Sequence, residues 1–436
     1  MSRILFTVWP LTGHIHPNLA IALELRKLGH EVAFYTGSHA QGMVEGAGFP
    51  CFPLRKVDEN RIEDLFMSPS GIQSATRNPF QLRDRWRQCV LDSVPAQMED
   101  LEDVLRKFPA DAIVCDPTMW APFLLLHETR KIPVAIFGLV PACHISGENG
   151  PVLGFPLPRP HNQWERARLK LLRAASDLFL RDVRRRASRL RVSYGLPPLS
   201  CSVTDFAGAM PLYLVPGSPE FDYNRTDLPP SVRYVGPCVW KGTTSDALPD
   251  WVLNLPPDQP LIYASEGTVH LRPVVLRAVA EGLGGLPVQV IMTTGKHRDP
   301  DSLDLGPRPL HPNIHAVRWM PLAPLLPRLS AMVTIGGPST MMPAFEHHVP
   351  IVIVPFTWDH PETGWRVQES GAGIRIAPPG CTPEAMRNAI QRILKEPGFR
   401  ENAGRLADSF QRRGGAGEAA RLIGGLVSPG EGTTTS

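Results

Sequence analysis

The chain is short of the features that mark several protein classes. Its seven cysteines, at positions 51, 89, 115, 143, 201, 238 and 381, include no CxxC pair and no Cys/His cluster, so neither a zinc site nor a disulfide framework is indicated. An odd cysteine count in a chain of 436 residues fits a reducing, cytoplasmic setting. No apolar run approaches the ~20 residues of a membrane helix, and stable membrane insertion is therefore not expected. Charge of one sign is not in excess: 45 Lys and Arg stand against 42 Asp and Glu, a net +3. That near-balance speaks against a nucleic-acid binder working through counterion release. The opening MSRILFTVWPL is basic then apolar. Its apolar run is short and lacks a small-residue cleavage site, so it reads as a buried first strand rather than a secretory leader.

What is present suits a globular enzyme: 43% hydrophobic and 20% charged residues, in a chain long enough for two domains with full cores. Ile4–Trp9 is a near-continuous apolar strand, the pattern of a sheet covered on both faces. The loop Pro10–His16 follows, then a helix from Pro17 with Ile21, Ala22, Leu25 and Leu28 on one face and Gly29 as its C-cap. Strand Glu31–Tyr35 completes a βαβ unit. Strand Ala112–Cys115, a helix near Met119–Thr129 and strand Ile132–Phe137 continue the alternation. The polar stretch 55–95 reads as the wall of a ligand pocket or as a plain surface excursion.

Trp164–Leu190 reads as one amphipathic helix with an apolar stripe of Leu169, Leu172, Phe179, Val183, Ala187 and Leu190. Its arginines suit a solvated face covering the pocket, or contact with an anionic membrane surface or carrier protein. The Pro- and Gly-rich stretch 213–250 marks a junction. It divides an N-terminal domain, 1–215, from a C-terminal domain, 216–436, with the last helix free to pack back on the first. A second α/β series opens at Leu261–Ala264 with the turn Ser265-Glu266-Gly267-Thr268, a helix to about Leu283 and strand Val288–Thr293. Helices over about 383–394 and 400–426 end it.

The most informative stretch runs from Trp319 to Val367. Strand Ala331–Ile335 meets the turn Gly336-Gly337-Pro338, and Ser339-Thr340 open a helix; strand Val349–Pro355 then leads to a polar turn with Asp359-His360 at its tip. A glycine turn feeding a helix that begins with two hydroxyls can hold phosphate on its backbone N–H groups and positive end. It also suits an ordinary βα turn with Ser as N-cap. The whole stretch resembles the donor-binding signature of the inverting nucleotide-sugar glycosyltransferases of the two-domain GT-B fold, in particular bacterial natural-product members.

That resemblance implies two Rossmann-like domains facing a cleft, with acceptor bound by the first and donor by the second. It implies that Trp319 stacks on the nucleotide base and that Gly337, Ser339, Thr340 and Thr268 hold the diphosphate. Asp359 and His360 would hold sugar hydroxyls. It also matches Gly13-His14-Ile15-His16-Pro17 to the family's G-H-x-x-P, making His14 the catalytic base, and Asp116 to its acidic partner; His16 ranks second. Histidine suits that task because its ordinary pKa, roughly 6.5, lets it accept a proton at neutral pH. Three polar positions of the family pattern are replaced, by Leu322, Ile335 and Pro343. His360 and Arg318 are the groups that could compensate.

The expected reaction is metal-independent inverting transfer, without a cofactor, from a dTDP- or UDP-sugar to a small hydrophobic aglycone, by a monomer or homodimer. Glu266, an anion beside a diphosphate, would have to point away. Two rival readings remain: a non-catalytic partner with a degraded donor site, and a nucleotide-sugar epimerase.

Overall fold

The computed structural model describes residues 1–68, 78–141, 145–152, 155–223, 225–240, 242, 247–267, 272–296, 298–356 and 358–427. Two parallel sheets organise it. The first has the order β3-β2-β1-β4-β5-β6-β7, built from Arg3–Thr7 (β1), Glu31–Thr36 (β2), Cys51–Pro53 (β3), Ala112–Cys115 (β4), Val134–Phe137 (β5), Leu212–Val215 (β6) and Val232–Tyr234 (β7). The second has the order β10-β9-β8-β11-β12-β13, from Leu261–Ser265 (β8), Gln289–Thr293 (β9), Ile314–Val317 (β10), Ala331–Thr334 (β11), Ile351–Ile353 (β12) and Gly373–Arg375 (β13). Every named pairing is parallel.

Burial on both faces explains the unbroken apolar strands. On β1, Ile4 and Phe6 enter one core and Leu5 enters the other; on β8, Ile262 and Ala264 face one way, Leu261 and Tyr263 the other. The helices of eight residues or more are Thr12–Lys27 (α1), Ser38–Gly46 (α2), Glu59–Met67 (α3), Pro79–Trp86 (α4), Val94–Lys107 (α5), Gln163–Phe179 (α6), Arg181–Ser193 (α7), Val274–Leu283 (α8), Pro338–Glu346 (α9), His360–Glu369 (α10), Pro383–Lys395 (α11), Gly398–Gln411 (α12) and Gly415–Gly425 (α13).

Several boundaries differ from the sequence reading, each for a visible reason. The first helix starts at Thr12, before Pro17, so Pro17 lies inside it and His14 belongs to its first turn instead of a loop. The basic helix is two helices: Leu180 leaves helical geometry at φ −91°, ψ 5°, and the Phe179 carbonyl accepts from Arg83 Nη1 at 3.4 Å. The final helical segment likewise splits into α12 and α13, at Gly414, whose φ is 81°. β7 pairs with β6, so the first sheet continues past residue 215 to Tyr234. The chain then returns: α13 packs against α1, and its Ala419, Ala420 and Ile423 complete the core beneath the first sheet. The six described cysteines are free thiols. Among the described residues, no helix is long and apolar enough to cross a membrane.

Candidate active site

Both sheets reverse strand order at a single point, β1/β4 in the first and β8/β11 in the second. Outside the carboxyl ends of such strands, diverging connections leave a crevice for ligands. The chain just after β1 carries His14, and Asp116 directly follows β4. His14 Nδ1 lies 2.7 Å from Asp116 Oδ2. The aspartate side chain is fully buried, while the imidazole is 19% exposed. Asp116 is itself fixed: its Oδ1 accepts from the Thr118 N–H at 2.8 Å and from the Thr118 hydroxyl at 2.6 Å. An ionised carboxylate can only accept, so facing one His14 donates from Nδ1, the tautomer that leaves the Nε2 lone pair free. This is the arrangement a general base needs. His16, one residue past Ile15 on α1, is held below the usual histidine range by burial and by the charge of Lys296 from the second sheet.

The second sheet supplies the other wall. Gly336, with φ 111°, turns the chain after β11, and Gly337 becomes the N-cap of α9, its carbonyl accepting from Thr340 and Met341 N–H at 3.0 Å. Ser339 is exposed and Thr340 half-buried in that first turn, so both hydroxyls and the helix end are open to a ligand. α9 also contacts α1, which brings the glycine turn before α9 beside the helix that carries His14. Asp359 precedes α10 and His360 opens it. A Cβ placed on Gly336 would lie 3.6 Å from the His360 Cβ, so the two turns are neighbours. Asp359 Oδ2 and His360 Nδ1 are buried with no hydrogen-bond partner among the described residues, as expected of groups that wait for a polar ligand. Burial lowers the His360 pKa, against the pull of Asp359. Trp319, 46% exposed, stands after β10 with Lys296 Nζ 5.3 Å from its ring centroid. Thr268 lies outside the described residues.

Residues 279–422 match the family described as erythromycin biosynthesis protein CIII-like, C-terminal domain. Over nearly the full length the chain is 27% identical to the demethyllactenocin mycarosyltransferase of Streptomyces fradiae, covering 98% of this chain and 87% of that one. It is 33% identical over 433 residues to the 4'-demethylrebeccamycin synthase of Lentzea aerocolonigenes, covering 98% of this chain and all of the relative. The chain belongs to the family of antibiotic glycosyltransferases. Its architecture is theirs as well: a spinosyn rhamnosyltransferase complexed with thymidine diphosphate superposes with a TM-score of 0.70 at 19% identity, over 97% of this chain and all of that one. The two-sheet arrangement is the GT-B fold.

In this glycosyltransferase two of the three replaced polar positions have become core, and Leu322 is partly buried at the edge of one. Ile335 is 5% exposed and packs with the second-sheet core, its Cδ1 toward Gly267. Pro343 is buried within α9. Arg318 is paired with Asp299. Glu266 does point away: its Oε1 accepts from the N–H groups of Val275 and Leu276 at the start of α8, at 2.5 and 3.4 Å. Its Oε2 is buried with no hydrogen-bond partner among the described residues, and burial raises the carboxyl pKa to about 7 despite those bonds.

Sequence reasoning missed four groups. Thr118 follows Asp116 by two residues and Lys296 follows a strand in a Gly-Lys turn; each becomes meaningful only beside its partner. Trp358, whose φ of 58° is unusual for a bulky residue, directly precedes Asp359 and meets Trp86 of α4 at 6.4 Å between ring centroids. Part of the 55–95 stretch thus closes on the donor side. Arg366 of α10, 1% exposed, donates from Nε and Nη2 to Asp222 Oδ1 at 3.2 Å and stacks 4.3 Å over Tyr223. With Trp365 Nε1 donating to the Pro156 carbonyl and Arg159 N–H to Glu369, these contacts tie α10 to the N-terminal part of the chain.

Proposed function

We propose that the enzyme moves a sugar from a nucleoside-diphosphate donor to a hydroxyl or nitrogen of a small, mostly apolar natural product in one inverting displacement. The observation that carries this reading is the 2.7 Å His14–Asp116 contact beside the phosphate turn of the other sheet. His14 Nε2 takes the acceptor proton as the acceptor attacks the anomeric carbon and the bond to the diphosphate breaks. Asp116 keeps Nδ1 protonated and stabilises the imidazolium that forms. Charge on the departing diphosphate meets the α9 N-terminus, the hydroxyls of Ser339 and Thr340, and Lys296, which stands in for the polar group that Ile335 replaces. Asp359 and His360 orient the sugar.

A thymidine diphosphate donor is favoured. Pro343 offers no carboxylate to a ribose 2'-hydroxyl, a group that deoxyribose lacks, and the similar spinosyn rhamnosyltransferase holds thymidine diphosphate. His14→Ala should lower turnover at least ~10²-fold with thymidine diphosphate affinity unchanged. Turnover within about threefold of the parent would remove His14 from the mechanism.

A further inference from the structure

α6 carries two apolar stripes, and only one is used inside the molecule. Leu169 and Ser176 are buried against the fold. Nearly opposite them, Trp164, Ala167, Leu171, Ala174 and Leu178 are all exposed, Trp164 by 87%, Leu171 by 71% and Leu178 by 68%. Their spacing alternates three and four residues, the seam of a coiled coil, with large residues on one row and alanine on the other. A solvated helix face has no reason to present Trp, Leu and Leu in register.

We propose that this seam is a two-fold interface between copies of the chain, formed by antiparallel pairing of α6 with itself. Charge selects that occupant. With the axis between residues 172 and 173, Leu171 of one copy meets Ala174 of the other, and Leu178 meets Ala167. Each large side chain then fills the space left by a small one. The same register sets exposed Lys170 beside Asp177 of the second copy, and by symmetry Asp177 beside its Lys170. The seam is therefore complementary to itself in shape and in charge. A flat anionic lipid surface would give Asp177, at the edge of the seam, no favourable contact.

Sedimentation of the full 48.0 kDa chain tests this. A reversible dimer is expected at micromolar concentration. Leu171→Glu should leave a folded monomer, since the side chain is exposed and its loss opens no cavity. Lys170→Asp or Asp177→Lys should each weaken the dimer about tenfold by setting like charges together at two symmetric places, and the double swap should restore it. Three results would overturn the proposal: a parent protein that stays monomeric at every concentration, a dimer indifferent to all of these changes, or a monomer that Leu171→Glu releases from phosphatidylglycerol vesicles.

Discussion

Asp116→Asn is the sharpest probe of the proposed chemistry, because the structure dictates what the amide must do. Thr118 donates to Asp116 Oδ1 through both its N–H and its hydroxyl, at 2.8 and 2.6 Å. The asparagine oxygen has to take that place, which turns its NH2 toward His14. A donor 2.7 Å from Nδ1 requires Nδ1 to accept, so the ring proton moves to Nε2 and the lone pair that should receive the acceptor proton disappears. The same exchange in a serine-protease triad lowers turnover about 10⁴-fold, and simple loss of general-base catalysis lowers it ~10²–10⁴-fold. A fall in kcat in that range, ~2.7–5.5 kcal/mol of barrier, is expected with little change in donor affinity. Asp116→Ala leaves the tautomer free and should be no worse than Asp116→Asn. Steady-state kinetics with an acceptor, set beside calorimetric binding of thymidine diphosphate, separates the cases. Equal loss of binding and turnover would make Asp116 a structural residue and refute the tautomer argument.

Two further changes test groups that the sequence pattern did not assign. Glu266 has a folded-state pKa near 7, above its ordinary 4.5, so the stability linked to its proton is fully present below about pH 4.5 and lost as pH rises through 7. Glu266→Gln keeps the acceptor for Val275 and Leu276 and removes the charge; at ~1.36 kcal/mol per pH unit, its advantage should grow between pH 5 and pH 9 toward a ceiling of about 3 kcal/mol. Melting points whose difference stays constant across that range would contradict a buried, ionising carboxyl. Lys296→Met retains the stem over Trp319 but not the charge, and should weaken thymidine diphosphate binding about tenfold, with a shallower salt dependence. Unaltered affinity in calorimetry would leave Lys296 as a mere cover for the Trp319 ring.

The candidate site was legible where its chemistry lies on contiguous turns. Gly337, Ser339 and Thr340, like Asp359 and His360, come from single βα connections, and local backbone alone sets their geometry. The unbroken apolar strands announced sheets covered on both faces for the same local reason. His14 and Asp116 could be named because the family's G-H-x-x-P falls on Gly13–Pro17, on the connection after the first strand, and its acidic partner falls on the residue that follows strand Ala112–Cys115. Their 2.7 Å contact, between residues 102 apart in the chain, could not, because it depends on β1 and β4 being neighbours. The basic helix shows the reverse failure. Its 3.6-residue periodicity ran unbroken through Leu180, yet in the folded chain Leu180 leaves helical geometry where the Phe179 carbonyl accepts from Arg83, far away in the chain.

By itself, then, the sequence determined the elements, the two turns and the kinds of side chain offered to a donor. Periodicity and turn chemistry are short-range properties, and a short window contains them. Only the tertiary structure decided which groups meet. It put Thr118 behind Asp116, Lys296 over Trp319 and opposite His16, Trp358 against Trp86, and Glu266 into the start of α8 instead of the cleft. The Lys296 and Trp358 contacts depend on packing between segments tens to hundreds of residues apart, which local propensity does not encode; the Thr118 and Glu266 contacts span only two to ten residues, and their meaning depends on what the cleft places beside them.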